Sequence, residues 1–185
     1  VFITELKIPG IREVTIPEEV KIGLGVLASM VVRARSGTVR DSYRKTLEYI
    51  PEPEAPARLV KQLAVMCCAL AVLDRRREVS AEDYLIVLKV GLDCIPRQRV
   101  KVLEFVASSS KRMNTTEIGE GIDYSPDGAR IHLEDLVAHK ILEVERFGQG
   151  KPNVWFLSDR TIEYLHDLLL PMIKKELWQQ FSEKN

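Results

Sequence analysis

Ser125-Pro126-Asp127-Gly128-Ala129-Arg130-Ile131-His132-Leu133-Glu134-Asp135-Leu136-Val137-Ala138-His139-Lys140-Ile141-Leu142 is the stretch on which the fold turns. Ser125, Pro126 and Asp127 make a helix start. They supply a side-chain oxygen for free backbone N–H groups, a proline where no donor is needed, and an acid at the positive end of the helix dipole. Ala129, Leu133, Leu136 and Val137 follow at helical spacing and are the expected inward face. Then the period changes. Residues 141–146 read as a strand, Gly148-Gln149-Gly150 as a turn and residues 152–157 as a second strand.

Upstream, residues 97–109 predict a helix with Val100, Leu103 and Val106 inward, and Asn114-Thr115-Thr116-Glu117 caps a short helix ending at Gly121. Helix, helix, helix, strand, turn, strand is the order of a winged helix. The 125–142 stretch resembles the recognition helix and following strand of winged-helix regulators. They share a capped start, an Arg, leucines at helical spacing and a short hydrophobic strand. The resemblance runs on through Glu143-Val144-Glu145-Arg146 and Asn153-Val154-Trp155-Phe156-Leu157. It implies a grip on duplex DNA. Arg130 and His132 would face base edges, and Ser125 would meet a phosphate at the helix N-terminus. Lys111 and Arg112, ahead of the short helix, and Gln149 and Lys151, at the turn, would contact further phosphates.

The N-terminal half is helical. Between 57 and 73, Leu59, Leu63, Met66, Cys67, Leu70 and Leu73 trace one face. Arg75-Arg76-Arg77 closes that helix, read as a solvated basic turn with a nucleic-acid patch as the alternative. Ser80 as N-cap and Asp83 at N3 open the next helix, with Leu85, Leu88 and Leu92 inward and a stop near Ile95-Pro96. This hairpin needs cover, and the helix expected over 17–35 is the candidate. Residues 1–16 alternate loosely, as a strand or extended loop. Residues 38–57, polar and broken by Pro51, Pro53 and Pro56, read as a connector outside the core.

Glu52-Pro53-Glu54-Ala55-Pro56-Ala57-Arg58-Leu59, the apolar helix after it and Arg77-Glu78-Val79-Ser80-Ala81-Glu82-Asp83 resemble the helical lid of AAA+ ATPases. The resemblance implies that Arg58 senses a nucleotide γ-phosphate. Lid followed by winged helix is the tail order of origin-recognition-type initiators. The chain contains no G-x-x-x-x-G-K-[ST] loop. ATP, Mg²⁺ and the ATPase core are therefore expected upstream, in a longer parent from which a chain starting at Val1 would be cut, and this chain is not itself an enzyme.

The expected fold is mainly α: a lid-like helical domain over 1–96, then a winged-helix domain over 97–185 that ends in a long helix. That helix starts at Asp159 and carries Tyr164, Leu165, Leu168, Leu169, Met172, Ile173, Leu177 and Phe181, kinked at Pro171. Its apolar surface suggests homo-oligomerisation. The other readings are a free-standing winged-helix transcriptional regulator and an adaptor whose winged helix binds protein.

Charge limits the DNA reading. The chain has 27 basic and 27 acidic residues. Over 97–158, nine cations (Arg97, Arg99, Lys101, Lys111, Arg112, Arg130, Lys140, Arg146, Lys151) meet nine anions (Glu104, Glu117, Glu120, Asp123, Asp127, Glu134, Asp135, Glu143, Glu145). Phosphate neutralisation carries much of DNA affinity, so a neutral module grips weakly unless linked to other sites. Cys67, Cys68 and Cys94 lack C-x-x-C spacing, and His132, His139 and His166 lack the i,i+4 spacing of a metal pair. No apolar run reaches about 18 residues and no signal peptide is present, so the chain is expected in the cytoplasm, away from membrane.

Overall fold

A helix that is apolar on almost every side has to be enclosed. Residues 18–35 form such a helix: Leu24, Leu27, Ala28, Val31, Val32 and Ala34 are all buried. In the computed structural model, which describes residues 10–43, 46–109, 111–148 and 150–165, this is α1 (Glu18–Arg35). The fold is mainly helical. After α1 come β1 (Val39–Arg40), β2 (Leu47–Tyr49), α2 (Pro56–Leu73), α3 (Ala81–Asp93) and α4 (Arg97–Ser108). Then follow β3 (Met113–Asn114), α5 (Thr115–Ile122), α6 (Pro126–Ala138), β4 (Leu142–Glu145), β5 (Val154–Leu157) and α7 (Asp159–Glu163).

The described residues divide into two compact units, 10–29 with 56–92 and 164–165, and 30–55 with 93–163. This is not the expected cut at 96/97. Residues 30–55 belong with the second unit because their side chains bond to α6, as described below.

In the first unit, the start of α1 packs on α3 through two glycines. A Cβ on Gly23 would lie 2.6 Å from the Tyr84 hydroxyl, and one on Gly91 would lie 2.9 Å from a Leu27 methyl. The inward face of α3 is Tyr84, Val87, Leu88 and Gly91, with Leu85 and Leu92 only half-buried, one step round from the expected face. The stripe on α2 is Leu59, Leu63, Cys67 and Ala71. Low polarity around Cys67 pushes its thiol up to about 12, with Asp83 and Cys68 adding to the shift. By length and mean hydropathy (18 residues, 1.6), α2 is long and apolar enough to cross a membrane, although its apolar run is interrupted near the N-terminus. The same helix supplies this core stripe and carries Arg58 and Lys61.

The basic turn after α2 is not simply solvated. Arg75 takes the left-handed conformation (φ 58°), and the Arg76 N–H reaches back to the Ala71 carbonyl at 2.8 Å, closing the helix. Arg76 then grips both oxygens of buried Asp83 at 2.8 Å. Asp83 also accepts from the Ser80 N–H at 2.8 Å, and the Ser80 hydroxyl accepts from the Asp83 N–H at 3.3 Å, completing the capping box. Burial would raise the Asp83 pKa, but Arg76 and Ser80 outweigh it and hold the carboxyl below its usual range. Thr15 bridges to Glu78 and exchanges backbone bonds with Arg77 and Val79, tying this turn to the approach to α1.

The second unit packs α4, α5 and α6 together and lays them against an antiparallel sheet of order β3-β5-β4. Trp155, buried on β5, donates its indole N–H to the Thr115 hydroxyl at 2.9 Å. Asn114 and Glu117 form the expected capping box on α5. The inward face of α4 is Arg99, Val102 and Val106, with Val100 and Leu103 half-buried. Gly148 (φ 88°) and Gly150 (φ 81°) supply the positive φ angles that the β4–β5 turn needs. The readings of residues 1–9 and of the C-terminal helix past residue 165 lie outside the described residues, and within the stretch read as a strand or extended loop over 1–16, Ile11–Glu13 form a short 3-10 helix.

Gly23→Ala is expected to destabilise the chain by about 1–3 kcal/mol through overpacking. Tyr84→Phe should be near neutral, because its buried hydroxyl has no hydrogen-bond partner among the described residues. In urea unfolding, the double variant should recover part of the alanine loss. Strict additivity would show that the two groups do not press on each other.

Candidate nucleic-acid interface

The surface built from α6, the start of α5 and the β4–β5 hairpin brings most of the sequence-selected residues into one unit. Ser125 caps α6, its hydroxyl accepting from the Gly128 N–H at 3.2 Å. Arg130 stands on the outer side of α6 with its side chain 45% exposed, and forms ion pairs with Glu134 (3.3 Å) and Asp127 (3.8 Å). Lys111 is exposed and lies 3.6 Å from Glu117. Arg112 pairs with Glu145 and stacks its guanidinium 4.2 Å over the Phe156 ring. Lys151 is exposed at the β4–β5 turn, and Gln149 lies outside the described residues. Arg58 is exposed in the first turn of α2, in the other unit.

His132 departs from expectation. It is half-buried, its ring 6.1 Å from that of Tyr124, and its Nδ1 has no hydrogen-bond partner among the described residues. Burial lowers its pKa, outweighing the opposite pull of Asp135, while Arg99 and Arg40 lower it further. The imidazole is therefore neutral near pH 7 and packs with Tyr124 rather than standing out beside Arg130.

The charges at the centre of this unit were not selected from the sequence. Asp135 on α6 is buried and accepts three side-chain bonds. One of its oxygens takes the Thr38 hydroxyl and the Arg40 guanidinium, both at 2.6 Å, and the other takes Arg99 at 2.9 Å. Arg40 also holds Glu134 at 2.6 Å and the Ile131 carbonyl at 3.1 Å. Arg99 donates from its other arm to the carbonyls of Ala34 and Ser36, at the negative end of α1. The His139 ring meets the Gly37 carbonyl at 3.0 Å. Residues 36–40 are thus stitched to α4 and α6, and the expected connector is part of the unit's polar core. Desolvation would raise the Asp135 pKa, but Thr38, Arg40 and Arg99 outweigh it and keep the carboxyl ionised below its usual range.

One signal in the sequence pointed here. Arg99 lies on the same helical stripe as Val102 and Val106, and a cation on an apolar stripe needs an anion inside. The partner could not be chosen from sequence, since Asp135 lies 36 residues away. Among the described residues no cluster of His, Cys, Asp or Glu is arranged to hold a metal ion. Comparison with protein-family models, curated proteins and solved structures finds no match to the chain.

Asp135→Asn leaves buried Arg99 without its carboxylate and takes one of two acids from half-buried Arg40, and is expected to cost about 3–5 kcal/mol of stability. The folded-state pKa of Asp135 is depressed, so its stabilising contribution is full above the ordinary carboxylate value. It is lost as pH falls through the lower folded value. Stability of the unmodified chain should therefore drop below about pH 4. The Asn variant should lose less over that range, with a remaining slope from Asp83. Denaturant midpoints across pH measure both.

Proposed function

We propose that residues 97–157 form a winged-helix module that grips duplex DNA with α6 as recognition helix and the β4–β5 hairpin as wing. The observation that carries this reading is the arrangement α4–β3–α5–α6–β4–β5, with sheet order β3-β5-β4 and Ser125-capped α6 presenting Arg130. Lys111, Arg112 and Lys151, all in the same unit, are the expected phosphate contacts. The grip is weak by construction. Arg130 and Arg112 already face acids of their own fold, and each must exchange such a pair for a phosphate.

Anisotropy titration with a mixed-sequence duplex at about 50 mM salt tests this reading. Binding is expected, falling steeply as salt rises. Arg130→Ala should cost about 1–3 kcal/mol of affinity, and Lys151→Ala should reduce the salt slope by about 1. Undetectable binding at low salt, or an unchanged Arg130→Ala variant, overturns it. One observation favours a protein partner instead: Arg130, the cation that α6 presents, is flanked by Asp127 and Glu134 of the same helix, so its charge is largely matched there.

We infer further that α2 and α3 act as the nucleotide-responsive lid of an AAA+-like ATPase whose core lies in a longer parent. Support comes from Arg58, exposed at the first turn of α2, where a γ-phosphate would find it. In the parent, Arg58→Ala should reduce ATP turnover. Unchanged turnover and nucleotide affinity would remove the sensor role.

A further inference from the structure

The second unit contains a half-open groove of about 310 Å³ that nothing in the proposed DNA contact uses as a cavity. Leu47 and Ile50, on and just after β2, form one wall, and Val137 and Ala138 on α6 form another. Val144 and Trp155, directly paired across β4 and β5 and so on one face of the sheet, close it. Three charges stand on this lining: Arg130, Arg146 and Glu134. The single acid is already held from outside the groove by Arg40, 2.6 Å away. Arg146 is exposed and forms no ion pair among the described residues. The lining is therefore an apolar pocket whose unmatched charge is positive.

From this we propose a binding site for a small apolar carboxylate, a ligand with a hydrocarbon or aryl body and one anionic head. A pocket of this size, mostly apolar with a few polar groups that set orientation, is at the small end of ligand sites. Its volume equals about ten water molecules, which limits the body to about ten non-hydrogen atoms. Such a body displaces water from Leu47, Ile50, Val137 and Val144. The head then meets the Arg146 guanidinium, where a charge-assisted and bidentate hydrogen bond is available. Arg130, tied to Glu134 and Asp127 by longer pairs, adds a second and weaker attraction. The site does not depend on what α6 grips, because its floor and principal cation lie outside the proposed base contacts.

The test is titration of the whole chain with octanoate, followed by amide shifts in ¹H–¹⁵N spectra, which also show that each variant remains folded. Octanoate should bind with a Kd of about 1 mM or tighter, as befits ten heavy atoms. Its shifts should centre on Leu47, Val137, Val144, Arg146 and Trp155. Methyl octanoate, with the same body and no charge, should bind about tenfold more weakly, and Arg146→Gln should weaken octanoate by a similar factor. Leu47→Glu, at a partly exposed position on β2, should abolish binding by placing a like charge in the wall. Absence of shifts at these residues overturns the proposal. So does an ester that binds as tightly as the acid, or an Arg146→Gln variant that binds like the original chain.

Discussion

Asp135 is a carboxylate inside a protein, and most of what is particular about the second unit follows from meeting its charge. An unpaired buried anion is prohibitive, so the fold must bring cations to it. Arg99 arrives from α4, and Arg40 arrives with Thr38 from the stretch after α1. Each of these groups is also anchored elsewhere: Arg99 on the last carbonyls of α1, Arg40 on Glu134 and Ile131. Replacing such a cluster with well-fitted apolar residues often leaves stability unchanged or improved. What the cluster supplies here is arrangement. A shift of α6 by one residue, or release of residues 36–40, would strand several charges together.

The first unit solves the same problem on a smaller scale. Asp83 is buried at the start of α3, and bidentate Arg76 arrives from the turn just before it, only seven residues away. The bare backbone at Gly23 and Gly91 then makes room between α1 and α3 for the Tyr84 and Leu27 side chains of the facing helix. Local pairing, in which an acid and its cation share one turn, is within reach of sequence reading; pairing across 36 or 95 residues is not.

The same electrostatics shape the proposed functions. Cations that might have made α6 strongly positive are matched within the fold, which agrees with the equal counts of nine and nine over 97–158. A module of this kind depends on linkage to other sites for useful affinity. By contrast, the groove between β2, α6 and the sheet retains an unmatched Arg146 over an apolar floor, so positive charge is concentrated at its mouth and not along the helix.

Helix starts and stops were determined by the sequence alone. Ser125, Asn114 and Ser80 cap where their chemistry says they should, and the change of period after Ala138 marks the β4–β5 hairpin. These signals are local, carried by residues within one or two turns of each other. The inward faces of α3 and α4 were displaced by one step, because periodicity ranks leucines above a buried Asp83 or Arg99. Only the tertiary structure decided that residues 30–55 join the second unit, that His132 turns toward Tyr124, and that Asp135 is the charge the unit closes around. The reason is physical: a buried ion is tolerable only beside its counter-ion, and which counter-ion reaches it is set by how distant segments pack.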